Sequence, residues 1–260
     1  MRVKNKVTIV TGGGRGIGRA ISSALASEGA KVVVAGRSAP LLEEVVKDIK
    51  SKGGQARAIQ TDVRDESQVK HMVEQTLADW GQIDLLVNNA GITGPTANLV
   101  DLNLSDWNEV LTVNLTGFML CAREVLKGMI PRKSGNIINI SSISGMAGHP
   151  LRSPYAVSKW GIIGLTETLA IEVGQHNIRV NCISPGAVKG ERMDNVWKAK
   201  AKALHVTFEE VMNSVMSQYS LKRIADPSEV AAAVVFLASD ESSGITGHTL
   251  VVNCVYHINF

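Results

Sequence analysis

Cysteine is scarce in this 260-residue chain: Cys121, Cys182 and Cys254 are odd in number, widely separated and free of any C-x-x-C pairing. The six histidines show no H-x-x-x-H spacing. Disulfides and structural zinc are both disfavoured, and no metal site is expected. An excess of one charge is also missing, with 27 Lys and Arg against 24 Asp and Glu and a formal net charge of +3. A nucleic-acid or other polyanion partner is therefore not expected. Long apolar runs are absent too. The longest, Val230 to Ala238, is too short to span a bilayer, and the opening MRVKNKVTIVTGGG holds only a four-residue apolar segment before its glycines. The expectation is a cytoplasmic protein with no membrane partner. N-x-S/T sequons at Asn103, Asn114 and Asn139 read as chance matches, because two of them fall in segments patterned as buried helix or strand.

What is present is an ordinary globular composition, 45% hydrophobic and 20% charged, without repeats or linkers. It suits one domain over residues 1–260. Lys6 to Val10 is a β-branched run that ends in Thr11-Gly12-Gly13-Gly14-Arg15-Gly16-Ile17-Gly18, after which an alanine-rich helical pattern reaches Glu28. Strand, glycine turn and helix in that order form a pyrophosphate cradle: glycines permit close backbone approach, and the helix N-terminus favours negative charge. The spacing is G-x-x-x-G-x-G. A glycine turn alone serves equally well as a structural turn, but its place at the start of a β-α-β pattern favours the nucleotide reading.

A second strand, Lys31 to Ala35, ends in Gly36-Arg37-Ser38, where such folds read the adenosine ribose. NAD enzymes commonly carry Asp or Glu there. Arg37, with Arg15 in the glycine loop, would instead offer positive charge to a 2′-phosphate, so the cofactor is read as NADP(H), with NAD(H) as the alternative. Further strands are predicted at Gln55–Gln60, 84–87, around Ile137, Ile138 and Ile140, at 177–184 and at 247–253. Helices are predicted over 38–52, 65–80, from Ser105 to about Ile130, from Pro154 to about Gly174, and from Asp226 onward.

The chemistry concentrates in Ser141 to Gly161, SSISGMAGHPLRSPYAVSKWG. Ser153 and Pro154 read as the N-cap and first position of a helix, which places Tyr155 and Lys159 on one face, a turn apart. A nearby ammonium stabilises a phenolate and lowers its pKa from about 10, making the tyrosine a usable acid or base. Ser142 follows an apolar run and would emerge at a strand's carboxyl end. An exposed (i, i+4) Tyr-Lys pair is an equally ordinary source of Y-x-x-x-K.

Taken with T-G-G-G-R-G-I-G, N-N-A-G from Asn88 and P-G-x-V from Pro185, the pattern S-x12-Y-x3-K resembles the short-chain dehydrogenase/reductase family over essentially the whole chain. The resemblance implies a single doubly wound Rossmann-type domain, an α/β fold with a seven-stranded parallel sheet in order 3-2-1-4-5-6-7. It implies a carbonyl/secondary-alcohol oxidoreductase, closest to the 3-oxoacyl-carrier-protein reductase type, with Asn114, Ser142, Tyr155 and Lys159 catalytic. It implies that Gly12, Arg15, Gly16, Ile17 and Gly18, Arg37, Asp62 and Val63, Asn89, Ala90 and Gly91, and Pro185, Gly186 and Val188 surround the cofactor with Tyr155 and Lys159. Asp62 is equally well read as a turn or capping aspartate. Asn88 would fasten neighbouring strands.

The resemblance also implies a substrate lid at about 189–218 and a homotetramer. The chain departs from the family at Gly190, where threonine is common, and at Asn253-Cys254-Val255, where Asp-Gly-Gly is common. Basic residues in the lid and just before Tyr155 make Arg152 and Arg192, beside Ser142 and Tyr155, the candidates for meeting an anionic or carrier-bound substrate. A sugar, polyol or hydroxy-acid dehydrogenase of the same family is the alternative. A dinucleotide-sensing protein without chemistry is opposed by the four filled catalytic positions. A Ser142 hydrolase is opposed by the lack of a G-x-S-x-G elbow, with His149 the sole nearby partner.

Overall fold

A computed structural model describes residues 1–254. The predicted strand segments form β1 (Val7–Thr11), β2 (Lys31–Gly36), β3 (Gln55–Gln60), β4 (Leu85–Asn88), β5 (Gly135–Ile140), β6 (Ile178–Pro185) and β7 (Thr249–Val252). All pair in parallel, in the order β3-β2-β1-β4-β5-β6-β7. Between them run α1 (Gly16–Ser27), α2 (Ala39–Ser51), α3 (Glu66–Trp80), α4 (Leu104–Leu111), α5 (Gly117–Arg132), α6 (Ser153–Gly174), α7 (Glu191–Leu204), α8 (Phe208–Ser217) and α9 (Pro227–Ala238).

Successive strand residues face opposite sides, so each side of the sheet gathers its own apolar layer. Val10, Val34, Val87 and Ile138 pack with Ile21 and Leu25 of α1, Val45 of α2 and Val234 of α9. Ile9, Val33, Leu86 and Ile137 pack with Met72 of α3, Val125 of α5 and Val173 of α6. Each such side chain, fully buried, contributes about 1.5–3 kcal/mol.

Helix ends follow local chemistry. Asp65 accepts from the N–H of Ser67 at 2.9 Å and of Gln68 at 3.2 Å to start α3, and Gly81, with φ of +76°, closes it. Asp226 and Glu229 form a reciprocal capping box at α9.

Two expectations need correction. The helix expected over 105–130 is interrupted: Thr112–Thr116 form one π turn between α4 and α5, and Asn114 sits inside it. The wider turn changes the angular step between side chains, which a 3.6-residue pattern does not anticipate. At α6 the cap is Arg152 rather than Ser153, because the Arg152 carbonyl accepts the Ala156 N–H at 2.8 Å. Ser153 and Pro154 then occupy the first turn, and the Ser153 hydroxyl is buried without a hydrogen-bond partner.

After β6 the chain makes a two-helix excursion, α7 and α8, with its own small core of Trp197, Ala201, Val211 and Tyr219. A parallel bridge between Val188 and Ala225 closes it at the base. Gly190 has φ of +139°, a backbone shape that disfavours side chains. Asn253 and Cys254 follow β7, with Asn253 against Gly186, while Val255 lies outside the described residues.

Candidate active site

Strand order reverses about β1, and the crevice beyond the carboxyl ends of β1 and β4 is where this topology leaves room for a ligand. Gly12 and Gly16 adopt φ of +65° and +53°. A Cβ on Gly18 would overlap the Gly12 carbonyl oxygen and lie 2.6 Å from Asn89 Nδ2, so the turn and α1 pack at glycine distance. The first turn of α1 has no acidic residue and no side-chain cap, leaving its N–H groups to an anion. Arg15 and Arg37 are both exposed at this edge. A turn with no room for a Cβ at Gly12 or Gly18, an uncapped helix N-terminus and two cations fit a phosphorylated dinucleotide.

Thr11 was not singled out from sequence, yet it ties the turn to β4. Its hydroxyl accepts from the N–H groups of Asn89 at 3.0 Å and Ala90 at 3.1 Å. Asn89 in turn donates its amide to the carbonyls of Thr11 at 2.9 Å and Gly12 at 3.2 Å. Its side chain therefore holds the glycine loop. Asn88 donates to Asn139 Oδ1 at 3.0 Å, fastening β4 to β5 as expected.

Asp62 accepts from the backbone N–H of Arg64 at 3.0 Å and from its guanidinium at 2.6 Å, an Asx-type turn with an ion pair. Those hydrogen bonds, and the nearby charge of Arg37, outweigh burial and hold its carboxyl below the usual range. Val63 is buried in the core layer against Gly117, and Ile17 packs half-buried on the opposite layer. Pro185 ends β6 and Gly186 donates to the Val252 carbonyl at 2.9 Å, fixing the loop that carries Val188.

Ser142, Tyr155 and Lys159 come together at the end of β5. Ser142 lies one residue beyond Ser141 at the end of the strand and caps a single 3-10 turn, Ile143–Gly145, accepting from Ser144 N–H at 3.2 Å. Its hydroxyl lies near enough to Tyr155 to help lower the phenol's pKa. Lys159 is buried and donates to the Ile140 carbonyl at 2.9 Å, with Nζ 5.6 Å from the Tyr155 ring centroid. The two residues share a helix face, so the exposed-pair reading is set aside. Burial works to raise the Tyr155 pKa, but Lys159, Arg192, the nearby Ser142 hydroxyl and Arg152 together outweigh it, and the net direction is down. Burial also lowers the Lys159 pKa, opposed by Tyr155 and reinforced by Arg192.

Asn114 is fully buried and its side chain is wholly engaged. Oδ1 accepts from Ile92 N–H at 2.8 Å, and Nδ2 donates to the Ile92 carbonyl and the Ser158 hydroxyl, each at 3.0 Å. Ser158, also missed from sequence, donates to the Tyr155 carbonyl at 2.7 Å and so links the π turn to α6. Gly91 sits against this amide: a Cβ there would lie 3.1 Å from Asn114 Oδ1. Arg152 packs its guanidinium 4.9 Å from the Tyr155 ring centroid, and Arg192, in the first turn of α7, lies near enough to act on Tyr155 and Lys159. His149 Nδ1 pairs with Ser144 at 3.1 Å and not with Ser142, which removes the base a Ser142 nucleophile would need.

Comparison with known proteins agrees with this geometry. The family described as Enoyl-(Acyl carrier protein) reductase matches residues 12–257. The chain is 37% identical to the 3-oxoacyl-(acyl-carrier-protein) reductase of Thermotoga maritima, covering 97% of this chain and 98% of that one. It is 39% identical to the Synechocystis enzyme of the same name over 95% of both. Among solved structures, an NAD+-bound xylitol dehydrogenase superposes with a TM-score of 0.95 at 34% identity, covering 98% of this chain and all of that one. An actinorhodin polyketide ketoreductase with NADPH gives 0.92 at 32% identity over 96% of each chain. The family match over nearly the whole chain and the relatives at 37–39% identity show that the chain belongs to the short-chain dehydrogenase/reductase family of oxidoreductases.

Proposed function

We propose that the protein interconverts a carbonyl and a secondary alcohol with NADP(H) as the preferred cofactor. The observation that carries this reading is the buried Lys159, held by the Ile140 carbonyl beside a tyrosine whose pKa is drawn down, with Ser142 close by. When bound, the nicotinamide supplies or accepts the hydride. Ser142 donates a hydrogen bond to the substrate oxygen, which carries growing negative charge during reduction, and Tyr155 gives that oxygen its proton. Lys159 keeps the phenol acidic enough to give up the proton and take it back. Asn114, through Ile92 and Ser158, holds the π turn and the loop of Gly91 against α6 in register with Tyr155.

Gly12, Gly16, Ile17 and Gly18 would hold the pyrophosphate, and Arg15 and Arg37 the 2′-phosphate. Asp62, Val63, Ala90 and Gly91 would bound the adenosine side, and Pro185, Gly186 and Val188 the nicotinamide side. Residues 189–218 form the lid over the substrate. The names of the relatives favour reduction of a 3-oxoacyl-type carbonyl. A homotetramer in the cytoplasm completes the reading. Its support is apolar surface on α6, where Trp160 is 51% and Ile171 84% exposed, together with the fact that no helix among the described residues is long and apolar enough to cross a membrane. The test is a panel of carbonyls and alcohols with NADPH, NADH and their oxidised forms, read by nicotinamide absorbance. Turnover of no carbonyl or alcohol with any of the four would overturn it.

A further inference from the structure

The tyrosine is surrounded by more positive charge than proton transfer requires. Arg152 is only 6% exposed. One Nη2–H goes to the Thr93 carbonyl at 3.1 Å, and its Nε is buried with no hydrogen-bond partner. Among the described residues no carboxylate lies within ion-pair distance of it, and the charges that act on it are those of Tyr155 and Arg192. Other arginines differ. Arg19, Arg57, Arg64 and Arg223, on the surface, each pair with an acid. Arg179, the other substantially covered one, is met by the carbonyls of Leu237, Ser239 and Ile245.

A guanidinium offers five N–H donors, and burying it with few acceptors costs several kcal/mol unless an anion supplies them. The tyrosine ring face gives partial compensation, since a cation over a ring is attracted to it. It offers no acceptor in the guanidinium plane. Arg192, on the first turn of α7, adds a second cation whose charge reaches Arg152, Tyr155 and Lys159, and Lys200 on the same helix lies close enough to act on His149.

We propose that Arg152, assisted by Arg192, binds an oxyanion of the substrate itself, so that the substrate is a short oxo acid or hydroxy acid whose carboxylate lies within a few bonds of the reacting carbon. The reading rests on the oxidoreductase assignment and departs from the carrier-bound 3-oxoacyl substrate that the relatives' names favour. Arg152 touches the tyrosine that meets the carbonyl oxygen, so a group bound by both must be compact. A planar carboxylate matches the guanidinium fork, while a neutral ester or thioester at that position leaves the cation unpaired. The chain would then discriminate against its own neutral analogues.

The experiment compares a panel of short 2-, 3- and 4-oxo acids, each beside its methyl ester, using NADPH and NADH and reading kcat/KM by nicotinamide absorbance. Wild type should favour at least one acid over its ester by about tenfold or more. Arg152→Ala and Arg152→Gln should lower that acid-to-ester ratio about 10- to 100-fold, and Arg192→Ala should lower it by a smaller factor. The ratio cancels any general effect of Arg152 on Tyr155. If Arg152→Ala fails to fold, the wild-type ratio and Arg192→Ala decide. Wild type preferring esters throughout, or a ratio unmoved in folded Arg152 variants, overturns the inference and leaves the oxidoreductase reading standing. Turnover of no carbonyl compound would overturn both, and a loss of activity on all wild-type substrates alike in folded Arg152 variants would overturn this inference only.

Discussion

Lys159 reaches past the Tyr155 ring, its Nζ 5.6 Å from the ring centroid, to donate to the Ile140 carbonyl at 2.9 Å. The ammonium is thereby fixed by the sheet and not by the tyrosine. Its influence on the phenol is electrostatic and persists when the phenolic proton moves. Tyr155→Phe keeps the ring and removes the oxygen, so turnover should fall about 10²- to 10⁴-fold while NADPH affinity stays within a few-fold. Steady-state rates and cofactor fluorescence titration would check it. Near-normal turnover in a folded variant would take Tyr155 out of the mechanism.

Removing the cation should move the pH profile. Lys159 lowers the Tyr155 pKa, so Lys159→Met raises it, and in alcohol oxidation, where Tyr155 must be deprotonated, the rise of kcat/KM should shift to higher pH by about one unit or more. A shift downward, or none, would show that the ammonium does not tune the phenol.

Arg37 is exposed at the ribose end of β2. Arg37→Asp should weaken NADP(H) far more than NAD(H), because an attractive partner for the 2′-phosphate becomes a repulsive one, and added salt should shrink the difference. Binding constants for both cofactors at two ionic strengths decide the matter. A wild type that already prefers NAD(H) at physiological salt would reverse the cofactor reading.

Gly18 has no room for a methyl group, since the obstacle is the Gly12 backbone and not a movable side chain. Gly18→Ala should destabilise the protein by about 1–3 kcal/mol and weaken cofactor binding together, as the glycine turn is pushed from α1. Denaturant melts with and without NADPH would show both. A variant as stable as wild type would mean that the turn can shift freely.

Asp65 caps α3, and hydrogen bonds from Ser67 and Gln68 pull its carboxyl from 3.8 to about 2. Since the folded value is depressed, the contribution is present above the unfolded pKa and is lost as pH falls through the folded one. Asp65→Asn should therefore be less stable at pH 6, with the gap in Tm closing between about pH 4 and 2. A gap independent of pH would assign the cap to shape and not to charge.

Much of this architecture could be read before any coordinates. β-Branched runs mark each strand to within a residue or two, and Ser142, Tyr155 and Lys159 lie in one contiguous stretch, so helix geometry alone brings the last two together. The π turn at Asn114 was not legible, because an inserted half-step leaves the apolar pattern on either side nearly intact. Nor were the roles of Thr11 and Ser158, whose partners Asn89 and Asn114 are remote in sequence and leave no local periodicity. Arg152 was legible as a candidate from its place just before Tyr155, but its burial with an unmatched Nε was not, because that depends on contacts remote in sequence.

The bridge between Val188 and Ala225 has an evolutionary consequence. A segment whose two ends are already held together can be lengthened, shortened or exchanged with little effect on the rest, since the entropy of closing a loop grows only logarithmically with its length. In this chain that segment carries Arg192 and its own Trp197 core, apart from the two layers that stabilise the sheet. Selection on substrate preference can thus act on α7 and α8 while Ser142, Tyr155, Lys159 and the two layers packed on the sheet are inherited unchanged.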